Sequence, residues 1–173
     1  LATGDEAALR GLVVLGGNDD ALLVRQAVLA LPEGPRRCEL LARFGHPTAL
    51  NALLRWMEAD APVFAAAAGE AFRRITGADV RGERRTLPVP DDADEFEREM
   101  APDVWLPDAK RALAVVERHR DAWAAGARWR AGLRLDGALA RETLLQLDLE
   151  ARWDAAARAA LAGQRLSAPP PIH

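Results

Sequence analysis

Two consecutive helices are indicated by residues 45–77, whose sequence is GHPTALNALLRWMEADAPVFAAAAGEAFRRITG. Pro47 and Pro62 stand where these helices would begin, since proline is tolerated in the first turn, and Gly77 stands where the second would end. The second helix contains four consecutive alanines, Ala65–Ala68. Small side chains let helix backbones approach closely, so we expect this helix to pack against neighbours on more than one side. The alternative interpretation is a compositional bias toward alanine on a surface helix.

A similar pattern begins earlier in the chain, because Gly4–Leu9 aligns with Gly45–Leu50 at an offset of 41 residues. Each unit contains an amphipathic helix, a short turn with an aspartate, and a second helix with small residues in its middle. In the first unit Asp19 is placed to cap the second helix by accepting from its free N–H groups. Helical hairpins that recur about every 40 residues are typical of HEAT repeats. The sequence therefore predicts an all-α fold, in which HEAT-like helical hairpins form a short α-solenoid and a C-terminal helical segment follows.

Four regions are predicted from the helix pattern, the prolines and the charges. Residues 1–77 form the HEAT-like helical repeat region, 78–103 an acidic linker that contains prolines, 104–163 a C-terminal helical region, and 164–173 a disordered tail. Helices are expected over residues 5–16, 20–31, 35–44, 47–58, 62–76, 94–100, 107–125, 137–147 and 148–162.

In the C-terminal region, Asp136 and Asp148 are each placed to cap a helix. His119 falls at a helical spacing with apolar residues, so it is interpreted as a buried core histidine; the residues on this face are Ala112, Val116, His119 and Trp123. In the last helix Trp153 is expected to face the core, together with Ala156, Ala157, Ala160 and Leu161.

Composition and charge narrow the classes of protein. The 173 residues carry a formal net charge of −3, which argues against a dedicated nucleic-acid binder. Cys38 is the only cysteine, so no intrachain disulfide can form, and a cytoplasmic location is expected. No apolar run approaches the roughly 20 residues that span a bilayer. Because the chain begins at Leu1 inside a helix-like segment, we expect an N-terminal portion to be missing.

No constellation of residues predicts catalysis, a metal or a cofactor. His46, His119 and His173 are far apart, and neither a zinc motif nor a glycine-rich phosphate loop is present. Cys38 is interpreted as a small buried hydrophobe, and a reactive thiolate beside Arg36 and Arg37 is the alternative. The carboxylates of residues 91–99 are interpreted as a solvated acidic loop.

Six residues are candidates for binding a partner: Arg73, Arg74, Arg84, Arg85, Trp105 and Trp129. The four arginines, with Arg81 in the same basic stretch, could bind phosphates beside an aromatic side chain, or they could pair with Glu70 and the acidic linker. Trp105 and Trp129 lie in expected loops and are the candidate exposed anchors, because tryptophan and arginine are enriched at interface hot spots. Trp56, Trp123 and Trp153 match apolar helix faces and are interpreted as core residues.

Two segments carry a resemblance to a known group of proteins. These are AGEAFRRITG at Ala68–Gly77, followed by an acidic proline-containing linker, and GARWRAG at Gly126–Gly132, ahead of a helical hairpin. They resemble a group of uncharacterised bacterial HEAT-like repeat proteins, distantly similar to the HEAT-like repeats of phycobilin lyases, some of them associated with type VI secretion. The resemblance spans most of residues 45–162 and implies the fold and a scaffold-like role, without catalytic residues. His46 departs from the Gly-Asp-Pro that commonly begins such a unit.

Three functions are compatible with these observations. The first is a non-enzymatic scaffold for protein–protein interaction, since stacked helical hairpins offer an extended binding surface. The second is a HEAT-like nucleic-acid-binding or base-repair protein, which the negative net charge makes less favoured. The third, by analogy of fold with the lyases alone, is a protein that handles a tetrapyrrole or another small molecule. A protein partner is therefore expected, neither a membrane nor a cofactor is, and the oligomeric state is not determined by the sequence.

Overall fold

A computed structural model describes residues 3–124, 126–135 and 139–164. Within these residues there are ten α-helices and four short strands, and five of the helices precede the first strand. The helices are α1 Thr3–Leu15, α2 Ala21–Leu29, α3 Pro35–Phe44, α4 Leu50–Trp56, α5 Pro62–Thr76, α6 Glu95–Glu99, α7 Ala109–Arg118, α8 Arg120–Ala124, α9 Arg141–Gln146 and α10 Leu149–Leu161. The strands are β1 Arg81–Thr86, β2 Asp103–Pro107, β3 Trp129–Arg130 and β4 Leu133–Arg134.

Helices α3 and α5 have the predicted boundaries. Each begins with a proline in its first turn and ends at a glycine in the left-handed conformation, and both Gly45 and Gly77 have φ 73°. A left-handed residue just after a helix is a common C-terminal stop, because it lets N–H groups turn back onto the last carbonyls. The predicted helix over 47–58 is divided into a 3-10 turn, Pro47–Ala49, and α4.

The predicted cap at Asp19 is wrong. Asp19 lies inside a 3-10 turn, Asn18–Asp20, and the carboxylate of Asp20 instead accepts a hydrogen bond of 2.8 Å from the N–H of Gly17. The aspartate next along the chain therefore stabilises the turn before α2.

The main core lies among α1–α5, with α5 at its centre. Helix α5 contacts α3, α4 and β2, which confirms that it has neighbours on more than one side. Ala65 and Ala68 are buried, and Gly69 lies so close to β2 that an added Cβ would stand 2.7 Å from the Cβ of Pro107. The small side chains of α5 therefore serve close packing, as predicted.

The chain is mostly helical, but the all-α prediction is not strictly correct because two antiparallel strand pairs are present. Strand β1 pairs with β2, with Arg84 opposite Trp105 and Arg81 opposite Pro107, and β3 pairs with β4. Strand β1 lies in the segment predicted to be a linker. Every residue of β1 is exposed, so it lacks the apolar alternation that indicates a strand, and its pairing with β2 holds it in place.

The C-terminal region contains two further corrections. The helix expected over 107–125 is divided at His119 into α7 and α8, and His119 is exposed where a core histidine was predicted. The buried face of α10 also differs from the prediction, because Trp153 is 51 % exposed. The buried residues of α10 are Ala151, Asp154, Ala155 and Ala159.

The predicted cap at Asp148 is confirmed, since its carboxylate accepts a 3.0 Å hydrogen bond from the N–H of Ala151. The proposed cap at Asp136 and the predicted tail beyond Gln164 lie outside the described residues. In the part of the chain that the structure describes, no helix has the length and apolar character needed to cross a membrane.

Candidate functional site

The six candidate binding residues lie in three places. Arg73 and Trp105 line one groove. Arg84 and Arg85 lie on the exposed strand β1. The third place is the segment Gly126–Gly132, which contains Trp129 and contacts Arg74.

The groove lies between α5 and the hairpin of β1 and β2, and its volume is about 250 Å³. The hairpin lies against α5 at the contact of Pro107 with Gly69. A 2.7 Å hydrogen bond from the Asp108 N–H to the Val80 carbonyl joins the two strands at the same end. Trp105 stands at the groove and is 48 % exposed. The residues that line the groove are Ala66, Gly69, Glu70, Arg73, Val80, Arg81, Val104, Trp105 and Pro107.

Charged pairs surround the apolar lining of this groove. Arg73 donates to both carboxylate oxygens of Glu70, at 2.8 and 2.6 Å. Arg81 donates to Asp79, at 2.6 Å for the shortest contact, and its guanidinium lies 5.8 Å from the ring centroid of Trp105. The hydrogen bonds from Arg81 hold the pKa of the Asp79 carboxyl far below its usual range. The groove therefore combines an apolar surface, an exposed indole and charges of both signs.

Arg84 and Arg85 are ion-paired on β1. Arg84 contacts Asp103 at 2.6 Å, and Arg85 contacts Glu83 at 2.7 Å. Asp103 also accepts a 2.6 Å hydrogen bond from the hydroxyl of Thr86. The basic residues of β1 are thus balanced by carboxylates on the same hairpin.

The segment Gly126–Gly132, which carries part of the family resemblance, has a structural role. Its backbone N–H groups donate to the carbonyls that end two helices: Trp129 to Gly45 at 2.6 Å, Ala131 to Arg74 at 2.7 Å, and Gly132 to Ile75 at 3.0 Å. A side chain at Gly77 would place its Cβ 2.6 Å from the carbonyl oxygen of Ala131. The segment therefore packs on the C-terminal ends of α3 and α5, where free carbonyls need donors.

Arg128, in the same segment, joins α1 to α3. It is 3 % exposed, and its guanidinium lies 4.6 Å from the centroid of the Phe44 ring. It makes five hydrogen bonds to backbone carbonyls at the ends of α1 and α3, those of Val13, Val14, Gly16, Arg43 and Phe44. Burial lowers the pKa of Arg128 to about 9, with a further contribution from the nearby charge of Arg158. At neutral pH it is a cation that neutralises the C-terminal dipoles of two helices.

Three arginines and three carboxylates form what we call the arginine–carboxylate cluster: Arg43, Arg74, Arg130, Asp148, Glu150 and Asp154. Arg43 donates to both oxygens of Asp154, at 2.9 and 2.8 Å. The buried Arg130 contacts Asp148 at 2.6 Å and Glu150 at 3.0 Å, and Arg74 also pairs with Glu150. The cluster attaches the first turns of α10 to the ends of α3 and α5. Arg74 is therefore paired with Glu150 inside the cluster. Trp129 is half-buried against the core.

Two other residues with possible chemistry are buried. Cys38 is buried in α3, and burial raises the pKa of its thiol to about 12, which agrees with its interpretation as a small hydrophobe. His46 is also buried; its Nδ1 accepts from the N–H of Thr48 at 3.3 Å, and burial lowers its pKa. Among the described residues no group of three or more His, Cys, Asp or Glu is arranged to hold a metal ion.

The sequence indicated Glu70 as an ion-pair partner of the arginines and Arg81 as a member of the same basic stretch, but it indicated no role for Arg128. Glu70 and Arg81 belong to the groove only because the hairpin lies against α5. Arg128 could have been noticed in the sequence, because it lies in the glycine-bounded segment Gly126–Gly132 that carries part of the resemblance.

Comparison with family models, curated proteins and solved structures found no match for this chain.

Proposed function

We propose that this chain is a non-enzymatic protein–protein interaction scaffold that binds its partner in the groove between α5 and the β1–β2 hairpin. The observation that carries the proposal is the exposed indole of Trp105, which lines an apolar groove with Arg73 and has the Arg81 guanidinium 5.8 Å from its ring centroid. Tryptophan and arginine dominate interface hot spots, and a concave apolar lining supports the anchoring of a partner side chain.

Two features favour a protein segment as the occupant of the groove. The lining from Ala66, Gly69 and Pro107 is apolar, so it suits an aliphatic or aromatic side chain of the partner. The rim carries two arginines, each paired with a carboxylate, so a partner of either sign can exchange ion pairs there. Such charges at a rim contribute mainly to specificity and to the rate of association.

The scaffold belongs, in this proposal, to the HEAT-like repeat group that Ala68–Gly77 and Gly126–Gly132 resemble. Two helical pairs, α1 with α2 and α4 with α5, support it, because they correspond to the two units offset by 41 residues. We place the protein in the cytoplasm, where a buried reduced thiol such as Cys38 is ordinary. The proposal requires no cofactor.

Nucleic-acid binding is the less favoured alternative. Arg73, Arg84 and Arg85 are each paired with a carboxylate, and the net charge of the chain is −3. A phosphate backbone would have to displace those carboxylates, whereas nucleic-acid sites usually carry a net positive surface.

Selection of peptides from a random display library against the whole protein tests the proposal. We expect enriched peptides that share an apolar anchor residue and bind the wild-type protein with a measurable Kd. Replacing one hot-spot tryptophan typically costs about 2 kcal/mol or more, so Trp105→Ala should weaken binding by about 30-fold or more. Trp153→Ala, at the other exposed tryptophan, is the control and should leave the Kd unchanged. Enriched peptides that bind both variants equally would exclude the groove as the binding site.

A further inference from the structure

A second cavity, of about 420 Å³, lies where the C-terminal end of α1 meets the C-terminal half of α10. Three leucines give it an apolar part, and two arginines and an asparagine give it a polar part. The lining residues are Leu15, Gly16, Gly17, Asn18, Arg128, Leu135, Arg158, Leu161 and Ala162. None of the six candidate binding residues lines it, so it is separate from the groove of the proposed function.

The two arginines of this cavity have no carboxylate of their own within ion-pair distance in the described ranges. The arginine–carboxylate cluster next to them is balanced, with three guanidinium groups and three carboxylates. Asp154, the carboxylate nearest in sequence to Arg158, already binds Arg43 through both oxygens. Within the described residues, Asp154 therefore acts on Arg128 and Arg158 through its nearby charge and does not form an ion pair with either.

Arg158 is the group that can still bind a ligand. All five N–H groups of Arg128 are used by backbone carbonyls, and the dipoles of α1 and α3 offset its charge. Arg158 donates one hydrogen bond, from Nη1 to the Val14 carbonyl at 3.2 Å. Its other N–H groups have no acceptor among residues 6–124, 126–135 and 139–164. Burial lowers the pKa of Arg158, and the nearby charge of Asp154 partly offsets this effect.

We propose that this cavity binds a carboxylate that carries an apolar group, with the carboxylate on Arg158 and the apolar group on Leu15, Leu135 and Leu161. A single guanidinium with free N–H groups matches the two oxygens of a carboxylate in a planar, bidentate geometry. The neighbouring leucines provide the surface on which an aliphatic group would be removed from water. The inference does not depend on the function proposed for the groove.

Two chemical sources of such a carboxylate are distinguished by titration calorimetry on the whole chain. One arm uses octanoate, with octanamide as its neutral match. The other uses a short peptide that ends in a leucine carboxylate, with the same peptide amidated at its C-terminus as its match. We expect saturable binding of octanoate, of the free-acid peptide or of both, at least tenfold tighter than that of the neutral match. No saturable binding in either arm, or equal binding of acid and neutral forms, would overturn the proposal.

Variants locate the binding in this cavity. Arg158→Gln should weaken carboxylate binding at least tenfold, whereas Arg118→Gln, at an exposed arginine of α7, should not change it. Because Arg158 also bonds α1, Leu161→Glu provides a variant at a residue that is 70 % exposed and can change without loss of the fold. Its carboxylate should repel the ligand and weaken binding. Binding that is unaffected by Leu161→Glu and Arg158→Gln would refute the assignment of the site.

Discussion

Replacing Arg128 with methionine should destabilise the protein more than any other replacement of a single arginine outside the arginine–carboxylate cluster. The methionine keeps much of the aliphatic volume but removes five hydrogen bonds to the carbonyls that end α1 and α3. These carbonyls lie in the interior around a side chain that is only 3 % exposed. Without the guanidinium, these backbone carbonyls would stay buried and each would lose one hydrogen-bond donor.

The expected loss of unfolding free energy is about 3–5 kcal/mol, because each buried carbonyl left without a donor costs about 1–3 kcal/mol and these costs are only partly additive. Charge-assisted hydrogen bonds contribute about 1.5–3 kcal/mol each, but five bonds of one group are not additive, so their sum would overestimate the effect. A domain of this size has a stability of about 5–15 kcal/mol, so the loss is a large fraction of the total. With an m-value of about 2 kcal/mol/M, a loss of about 4 kcal/mol lowers the urea midpoint by about 2 M.

Urea unfolding followed by circular dichroism measures this loss. Arg128→Lys should lie between the wild type and Arg128→Met, because lysine keeps the charge but has three donors and no planar fork. Arg118→Met, at an exposed arginine of α7, is the control and should change stability by less than about 0.5 kcal/mol. A loss below about 1 kcal/mol for Arg128→Met would refute the assignment of Arg128 as the residue that joins α1 to α3.

Four further predictions concern α1, α3 and the residues that follow α3 and α5. Gly77→Ala should destabilise by about 1–3 kcal/mol in thermal unfolding, because φ is 73° and the new Cβ meets the Ala131 carbonyl. Gly11→Ala lies inside α1, where an added Cβ meets nothing within 4 Å, so it should stabilise the protein by about 0.5–1 kcal/mol. A Gly77→Ala protein more stable than Gly11→Ala would contradict both expectations. Cys38 should react with a thiol reagent only after unfolding, because burial raises its pKa to about 12; rapid reaction of the folded protein would disprove its burial. Burial lowers the pKa of His46, so its neutral form is favoured in the folded state; stability should fall as pH decreases below 6.5, and His46→Gln should reduce that dependence in urea titrations at several pH values.

The elements predicted correctly are those whose ends are fixed by local chemistry. Helices α3 and α5 have a proline at one end and a glycine at the other, and both residues act through backbone conformation alone. Asp148 could likewise be identified as a cap, because it acts on the turn that follows it directly. Such signals depend on no distant contact.

The elements predicted wrongly depend on contacts between distant segments. Strand β1 has no apolar face, and it is a strand because β2 pairs with it and packs on Gly69. The orientation of α10 follows from Asp154, which is drawn inward by Arg43, 111 residues earlier in the chain. Hydrophobicity alone would bury Trp153 and expose Asp154, the reverse of the arrangement observed.

The candidate site was predicted in its residue types rather than in its geometry. Arg73 and Trp105 were each identified as possible anchors from their chemistry, but they belong to one groove only because the hairpin folds onto α5. Arg74 was chosen on the same grounds as Arg73. It lies one position further along the helix, and it instead pairs with Glu150 of α10.

The most direct test of the central proposal is a comparison of proteins captured from the native host by three baits. The baits are the wild type, Trp105→Ala and Trp153→Ala, compared by quantitative mass spectrometry after nuclease treatment at moderate salt. The two tryptophans are similarly exposed, at 48 % and 51 %, so they differ mainly in whether they lie in the groove. We predict that at least one protein is recovered with the wild type and with Trp153→Ala, and at least tenfold less with Trp105→Ala. Equal recovery of every captured protein by all three baits, or capture that nuclease abolishes, would contradict the proposal.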